Sequence, residues 1–171
     1  MQFKTLTIIK HPVDECWKQY RDGFEQIGEA VDDLKYIRLL HREDRAPGTV
    51  YTEYEWQAIP PLPQSLRDKV HADMLTWVDH AVWEEARCQC HWDIVTRYFG
   101  GRLSCAGKTT FAEALGGRGC RLTFEGEMAW GELPRSEAVL VRLVEPFLKQ
   151  MILQNFRKVS KKVEQLLDQP R

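Results

Sequence analysis

Residues 120–167 read CRLTFEGEMAWGELPRSEAVLVRLVEPFLKQMILQNFRKVSKKVEQLL, and the hydrophobic period changes within this stretch from two residues to about 3.6. Up to residue 130 apolar and polar side chains alternate, which is typical of a strand with one buried face. From Ser136 onward the apolar residues recur every three or four positions, which predicts a long amphipathic helix. The apolar stripe consists of Leu140, Val144, Phe147, Leu148, Met151, Ile152, Phe156, Val159, Val163 and Leu166.

Pro146 interrupts the helical pattern. A proline inside a helix removes the hydrogen bond to the carbonyl four residues earlier, which is here that of Arg142. The sequence therefore predicts either a kink at Pro146 or a fresh helix start near Glu145. In both cases residues 146–167 form a helix of roughly 33 Å, at about 1.5 Å per residue.

Alternation and β-branched residues predict six more strands upstream, and hence a seven-stranded antiparallel sheet. The predicted strands cover residues 3–10, 33–42, 49–57, 75–83, 87–95, 103–114 and 120–130. In the third strand, one face is predicted to be dry and the other wet. The dry face carries Val50, Thr52, Tyr54 and Trp56, and the wet face carries Tyr51, Glu53, Glu55 and Gln57.

Two short helices are predicted between the first and second strands. The first follows Pro12, and the second spans residues 24–27 and ends at Gly28. A hairpin loop is predicted over residues 43–48, where a Pro-Gly pair follows charged residues. The three prolines in residues 59–63 exclude a central strand and predict a loop that leads to a short helix over residues 64–70.

The composition predicts one folded domain over residues 1–171, because 43% of the residues are hydrophobic and 29% are charged. The formal net charge of -1 offers no general attraction for nucleic acid, so no nucleic-acid partner is predicted. No apolar run is long enough for stable membrane insertion, and the N-terminus does not resemble a leader, so a cytoplasmic location is predicted. The five cysteines are predicted to be reduced. The sequence contains no signal for an oligomeric state.

Three local motifs occur in a characteristic order: HPVDECW at residues 11–17, EGEM at residues 125–128 and VEPFL at residues 144–148. In these motifs and in the order of its elements, the chain resembles the START-like helix-grip superfamily, also called SRPBCC. The resemblance implies an α+β fold in which a curved antiparallel sheet wraps around the C-terminal helix and leaves a cavity. It also implies small apolar ligands such as lipids, sterols or polyketides, although the superfamily includes cyclases, hydroxylase subunits and chaperone activators.

Inward strand residues and the helix stripe together predict a binding site for a small hydrophobic molecule. The predicted ligand-binding residues are Tyr54, Trp56, Cys90, Trp92, Phe124, Met128, Trp130, Phe147, Met151, Asn155 and Phe156. A completely filled core would produce the same pattern, so both interpretations stay open at this point. Asn155, the polar member of this set on the helix, could orient a ligand or bond to backbone.

No residue set commits the chain to a reaction, and no catalytic residue, cofactor or metal is predicted. Cys88, Cys90 and His91 are zinc-ligand types, but strand alternation separates His91 from the two cysteines. Asp79 and His80 could move protons if both side chains point inward, as in a cyclase or dehydratase. Three hypotheses follow: a carrier or sensor of a hydrophobic molecule, an enzyme acting on such a molecule, and an interaction module with a closed core.

Overall fold

The computed structural model describes residues 1–29, 31, 32, 34–59 and 71–169, and of residues 136, 137, 140, 143, 144, 147, 148 and 151 it describes the backbone alone. The strands in this part of the chain are β1 (Gln2–Ile9), β2 (Leu34–Ala46), β3 (Thr49–Ala58), β4 (Thr76–Glu84), β5 (Gln89–Thr96), β6 (Leu103–Ala114) and β7 (Gly119–Trp130). The helices are α1 (Val13–Asp22), α2 (Phe24–Gly28) and α3 (Arg135–Leu167).

The strands form one curved antiparallel sheet in the order β1-β7-β6-β5-β4-β3-β2. From β2 to β7 each strand pairs antiparallel with the next along the chain, and β1 completes the order by pairing with β7. The helices α1 and α2 connect the two edge strands, β1 and β2. The predicted α+β architecture, with two short helices after the first strand, is confirmed.

Helix α3 packs against the inner face of the sheet and against α1. Its buried residues include Phe156, Val159 and Val163, and the Phe156 ring stacks on that of Phe124 in β7 at a centroid distance of 4.8 Å. At the α1 contact, the hydroxyls of Tyr20 and Ser160 are hydrogen-bonded at 2.7 Å. In the part of the stripe whose side chains are described, Phe156, Val159 and Val163 therefore lie on the inner side of the helix.

The helix continues through Pro146, so the predicted alternative of a fresh start near Glu145 is wrong. Pro146 and Arg142 are both exposed. The Arg142 carbonyl that loses its helical donor therefore lies on the side of α3 that water can reach, where hydration replaces the missing bond.

Among the described residues, none of the helices combines the length and the apolarity needed to cross a membrane.

The hairpin between β2 and β3 is tighter than predicted. Glu43 and Asp44 pair with residues of β3, and β2 continues to Ala46, so only residues 47 and 48 form the turn. The Arg45 guanidinium lies 3.9 Å from the centre of the Tyr51 ring, a cation–π contact that extends the pairing.

Residues 87 and 88 were predicted to begin a strand, but β5 begins at Gln89. A short 3₁₀ turn occupies residues 85–87, and Cys88 has a left-handed backbone with φ of 46°. A left-handed residue breaks the strand alternation. The predicted helix over residues 64–70, the prolines at 60–63 and Asp33 lie outside the described residues.

Glu55 departs from the predicted wet face of β3, because its side chain is only 1% exposed although it points outward. Tyr36, Arg38 and Arg97 cover it and bind its two carboxylate oxygens. Burial alone would raise the pKa of Glu55, but hydrogen bonds from Tyr36 and Arg38 and the charge of Arg97 hold it below the ordinary value. A buried carboxylate is tolerated here because it is fully partnered.

Candidate functional site: a cavity between the sheet and the last helix

A cavity of about 160 Å³ lies between the inner face of the sheet and α3. Side chains from β3 to β7 form its floor, Phe24 closes one end, and Ile152, Asn155, Phe156 and Val159 of α3 form its roof. Its lining is mainly apolar and aromatic. Engineered apolar cavities of about 150 Å³ bind benzene, so this space suits a molecule of one or two rings.

One inward row of side chains runs directly across five strands of the sheet. In register order it consists of Tyr54, Asp79, Ile94, Cys105 and Met128. Asp79 is the acidic residue of this row, and it lies between Tyr54 and Ile94. A carboxyl is therefore built into the floor of an otherwise apolar space.

Three aromatic rings form a continuous stack along one wall of the cavity. Trp92 lies 4.8 Å from Phe124 with an angle of 14° between the ring planes, and Phe124 lies 4.8 Å from Phe156 of α3. Phe3 packs beside the first pair, at centroid distances of 5.7 Å from Phe124 and 6.2 Å from Trp92. The stack joins β5 and β7 to α3 along one side of the space.

Gly107 and Gly126 make room for Trp92. They are direct partners across β6 and β7, and a Cβ atom on either would lie 2.6 Å from an atom of the Trp92 indole. Only residues without a side chain allow the indole to lie this close to the sheet. The two glycines therefore determine the position of the aromatic wall.

The opposite end of the cavity is closed by Phe24 of α2. Its ring lies 5.4 Å from those of Tyr54 and Trp56 and 5.9 Å from that of Trp83, in tilted or edge-on geometry. This cluster is packed rather than open. The space is consequently limited at this end by α2 and not by the sheet.

Asp79 has an unusual environment for a carboxyl. It is half-buried, and its accessible area faces the cavity. Burial, reinforced by the charge of Asp93 and opposed by that of His80, raises the pKa of Asp79 from 3.8 to about 7. No described residue donates a hydrogen bond to this carboxyl, and none of the described lining residues is Lys, Arg or His.

The other titratable groups around the cavity remain neutral near pH 7. Burial and the Asp79 charge raise the pKa of Cys105 to about 11 and that of Cys90 well above its ordinary value. Burial likewise raises the pKa of Tyr54 to about 12 and that of Tyr20 above its usual range. Asp79 is therefore the described cavity group that changes charge near neutral pH.

Several buried polar atoms around the cavity have no hydrogen-bond partner among the described residues. They are the indole N–H groups of Trp56 and Trp92, the hydroxyl of Thr96 and Oδ1 of Asn155. All four residues are more than nine-tenths buried. Because buried polar groups are normally paired, atoms like these mark a space that accepts a polar ligand group or water.

The other buried polar side chains of the core include both paired and unpaired ones. The indole of Trp83 donates to the Thr52 hydroxyl at 3.1 Å, and the Ser160 hydroxyl donates to the Phe156 carbonyl at 2.8 Å. The indoles of Trp17 and Trp130, which do not line the cavity, are also unpaired. An unpaired indole is therefore weaker support than the Asn155 oxygen, the Thr96 hydroxyl and the Asp79 carboxyl together.

The structure brings most of the predicted ligand-binding residues to the cavity. Those in its lining are Trp56, Cys90, Trp92, Phe124, Met128, Asn155 and Phe156. Tyr54 instead packs on Phe24, and Trp130 packs edge-on against Phe99 at 4.9 Å. The side chains of Phe147 and Met151 lie outside the described part of α3. The binding role of the whole set stays a prediction.

Asp79 and His80 point to opposite faces of β4, so the predicted inward acid and base pair does not form. His80 lies on the outer face, where its Nδ1 is 3.1 Å from Oδ2 of Asp93. Cys90 and His91 are separated in the same way, with Cys90 in the cavity and His91 exposed. Among the described residues, no cluster of metal-ligand types is present.

Sequence reasoning gave Asp79 too little weight. Alternation along β4 puts Trp77, Asp79 and Trp83 on one face, and an acid between two tryptophans was the available signal. The pair Gly107 and Gly126 was a second signal, since an isolated glycine inside a strand often marks a close approach by another group. Phe24 and Phe99 had no signal, because helix and turn residues show no inward alternation.

Comparisons with known proteins find similarity in structure alone. No family model matches the chain, and no curated protein matches it in sequence. A protein of Thermus thermophilus has a TM-score of 0.69 at 13% identity, with 95% of this chain and 97% of that chain covered.

Two solved enzyme structures are also similar. The ZhuI aromatase/cyclase of Streptomyces sp. R1128 has a TM-score of 0.66 at 12% identity, over 98% of this chain and 95% of that chain. A truncated norcoclaurine synthase of Thalictrum flavum has a TM-score of 0.63 at 11% identity, over 100% of this chain and 95% of that chain. Identities this low establish the fold and leave the activity open. The chain therefore has the helix-grip fold, in which a curved antiparallel sheet holds a long C-terminal helix.

Proposed function

We propose that the protein binds a small hydrophobic molecule in the cavity between the sheet and α3, as a carrier or sensor. The observation that carries this proposal is the combination of an apolar space of about 160 Å³ with unpaired polar atoms in the residues that line it. An apolar pocket with a few fixed polar groups is the usual form of a small-ligand site. The interaction-module hypothesis has no comparable support on the outer face and stays a prediction.

The cavity volume limits the size of the ligand. Pockets for drug-sized molecules usually measure about 300–1,000 Å³, which is larger than this space. The Phe24 cluster limits the space at one end, and the Trp92–Phe124 stack limits it along one wall. The proposal is therefore a compact ligand and not a full-length lipid.

Filling the cavity tests this proposal. Cys105 is 4% exposed and points into the space, so Cys105→Phe places a phenyl ring where the ligand would lie. We expect wild-type protein purified from cells to carry a small-molecule adduct in native mass spectrometry. In Cys105→Phe the occupied fraction is expected to fall at least about tenfold, because steric exclusion removes more than about 1.4 kcal/mol of binding free energy.

The matched control is Val95→Phe, because Val95 lies on the outer face of β5 and is 43% exposed. This variant adds a larger side chain to a neighbouring strand without entering the cavity. It is expected to keep the adduct. Wild-type protein without any adduct, or an adduct that Cys105→Phe retains in full, would contradict the proposal.

A second candidate function is an enzyme of the cyclase or dehydratase type, and the position of Asp79 favours it. A carboxyl with a pKa near 7 can both accept and return a proton at neutral pH. The similarity to an aromatase/cyclase and to a norcoclaurine synthase supports this candidate at the level of the fold. The proposed step is transfer of a proton from a carbon beside a carbonyl to the Asp79 carboxylate, which leaves an enolate.

Hydrogen exchange tests this candidate. In D₂O at pH 7, wild-type protein is expected to exchange the methyl protons of acetophenone at least about tenfold faster than Asp79→Asn does, as followed by proton NMR. The control His80→Gln alters the outer face of the same strand and is expected to match the wild type. Equal exchange rates for wild type and Asp79→Asn would rule out the catalytic role.

A further inference from the structure

We propose that Asp79 recognises the ligand as an uncharged carboxylic acid, by donating a hydrogen bond to a neutral oxygen of a compact ring compound such as an aryl ketone. This inference rests on the proposed binding function and adds the class of ligand. It makes Asp79 a specificity-determining residue. Asp79 disfavours ligands that carry a carboxylate. Its protonation state decides whether a neutral or a cationic ligand is preferred.

The described residues that line the cavity carry more unpaired hydrogen-bond donors than acceptors. The indoles of Trp56 and Trp92 can only donate, and both are unpaired among the described residues. A protonated Asp79 adds a third donor. Asn155 of α3 contributes an acceptor from the roof of the cavity, because its Oδ1 also has no partner among the described residues. A ligand with at least one acceptor oxygen matches this set, whereas a purely hydrocarbon ligand would leave it unsatisfied.

The described lining residues supply no positive charge that could compensate an ionised Asp79. An ionised Asp79 would be a carboxylate without a cation or a donor beside it, in a space with mainly apolar walls. Isolated buried charges are avoided by neutralisation wherever the pKa allows it. A ligand that excludes water from the cavity adds to this desolvation, so binding favours the protonated form.

The titratable groups around Asp79 on the described elements do not account for a change of charge near pH 7 in the cavity. Tyr54 on β3, Cys90 on β5 and Cys105 on β6 all have raised pKa values and remain neutral. Tyr20 on α1 behaves likewise, and the described lining residues of α3 are not titratable. His80 and Asp93 pair with each other on the outer face. A pH dependence of binding between about 5.5 and 8.5 is therefore assigned to Asp79, with His80 as the group to control.

Three probes of similar size separate the possibilities: acetophenone, which carries an acceptor oxygen, ethylbenzene, which carries none, and benzylamine, which is cationic. Affinities are measured by titration calorimetry at pH 5.5 and pH 8.5. We expect wild-type protein at pH 5.5 to prefer acetophenone over ethylbenzene by about tenfold, the value of one well-placed hydrogen bond. That preference is expected to disappear at pH 8.5, where the carboxyl is ionised.

Two substitutions of Asp79 isolate the hydrogen bond. Asp79→Asn keeps a donor but cannot ionise, so the preference for acetophenone is expected to persist at both pH values. Asp79→Leu removes the donor and is expected to bind both probes equally at both pH values. His80→Gln is expected to show the wild-type pH dependence, because its side chain lies on the other face of β4.

The outcomes distinguish this inference from the proposed function. Ethylbenzene binding without any preference for acetophenone overturns the role of Asp79 and leaves a hydrophobic binding site. Tighter binding of benzylamine than of acetophenone, with affinity that increases from pH 5.5 to pH 8.5, also overturns it, because the carboxylate then holds a cation. Failure of all three probes to bind contradicts the binding function itself, and the inference falls with it.

Discussion

Replacing Asp79 with asparagine is expected to stabilise the protein at neutral pH by up to about 4 kcal/mol relative to its effect at pH 4. The pKa of Asp79 is about 7 in the folded chain, whereas the ordinary value for an aspartate is 3.8. Between these pH values the folded protein binds more protons than the unfolded chain does. Its stability therefore falls as the pH rises from about 4 to about 7, and the asparagine variant lacks this loss.

Urea denaturation at pH 4, 5.5, 7 and 8.5 measures this effect. The difference in unfolding free energy between Asp79→Asn and wild type is expected to grow up to pH 7 and then remain constant. Asp14→Asn serves as the control, because Asp14 is exposed at the start of α1. Its difference from wild type is expected to vary by less than about 0.5 kcal/mol. Parallel profiles for wild type and Asp79→Asn would show that the cavity does not desolvate the carboxyl.

Gly107→Ala is expected to destabilise the fold by about 3 kcal/mol or more. A Cβ atom at this position would lie 2.2 Å from the Glu125 carbonyl oxygen and 2.6 Å from the Trp92 ring. The carbonyl belongs to the neighbouring strand and cannot move without disturbing the β6–β7 pairing. Trp92 could move only by leaving its stack on Phe124, which also changes the cavity wall.

The matched control is Gly101→Ala. Gly101 is exposed, and its Cβ would meet no atom within 4 Å, so the same chemical change is made without a clash. Its effect on the free energy of unfolding is expected to remain within about 0.5 kcal/mol. Guanidinium denaturation followed by tryptophan fluorescence compares the two variants. Equal stability losses would mean that the close approach of Trp92 is not required.

The element pattern of this chain was readable from its sequence because the signals are local. Alternation in residues 120–130 and the helical period after Ser136 depend on near neighbours and on burial of one face. The same signals placed Trp92, Phe124 and Phe156 on inward faces. They failed where a local exception wins, as at the hairpin of residues 43–48, where β2 continues to Ala46.

The side chain of Glu55 shows why exposure was harder to predict than direction. Alternation correctly points it outward, but Arg38 and Arg97 come from a neighbouring strand and a distant turn and cover it. The edge-on contact between Trp130 and Phe99 has the same origin, because Phe99 follows β5 and is far from Trp130 in the chain. Contacts between segments far apart in the chain depend on register and loop path, which no local period encodes.

By itself the sequence determined the sheet, the terminal helix and the direction of most inward side chains, since these follow from residue type and spacing. Only the tertiary structure decided that a space of about 160 Å³ remains beneath α3 and that Asp79 lies on its floor. An unfilled volume is the difference between the separation of distant elements and the summed sizes of the side chains between them. The raised pKa of Asp79 follows from that same geometry, because residues from several strands and three helices surround the carboxyl and reduce its hydration.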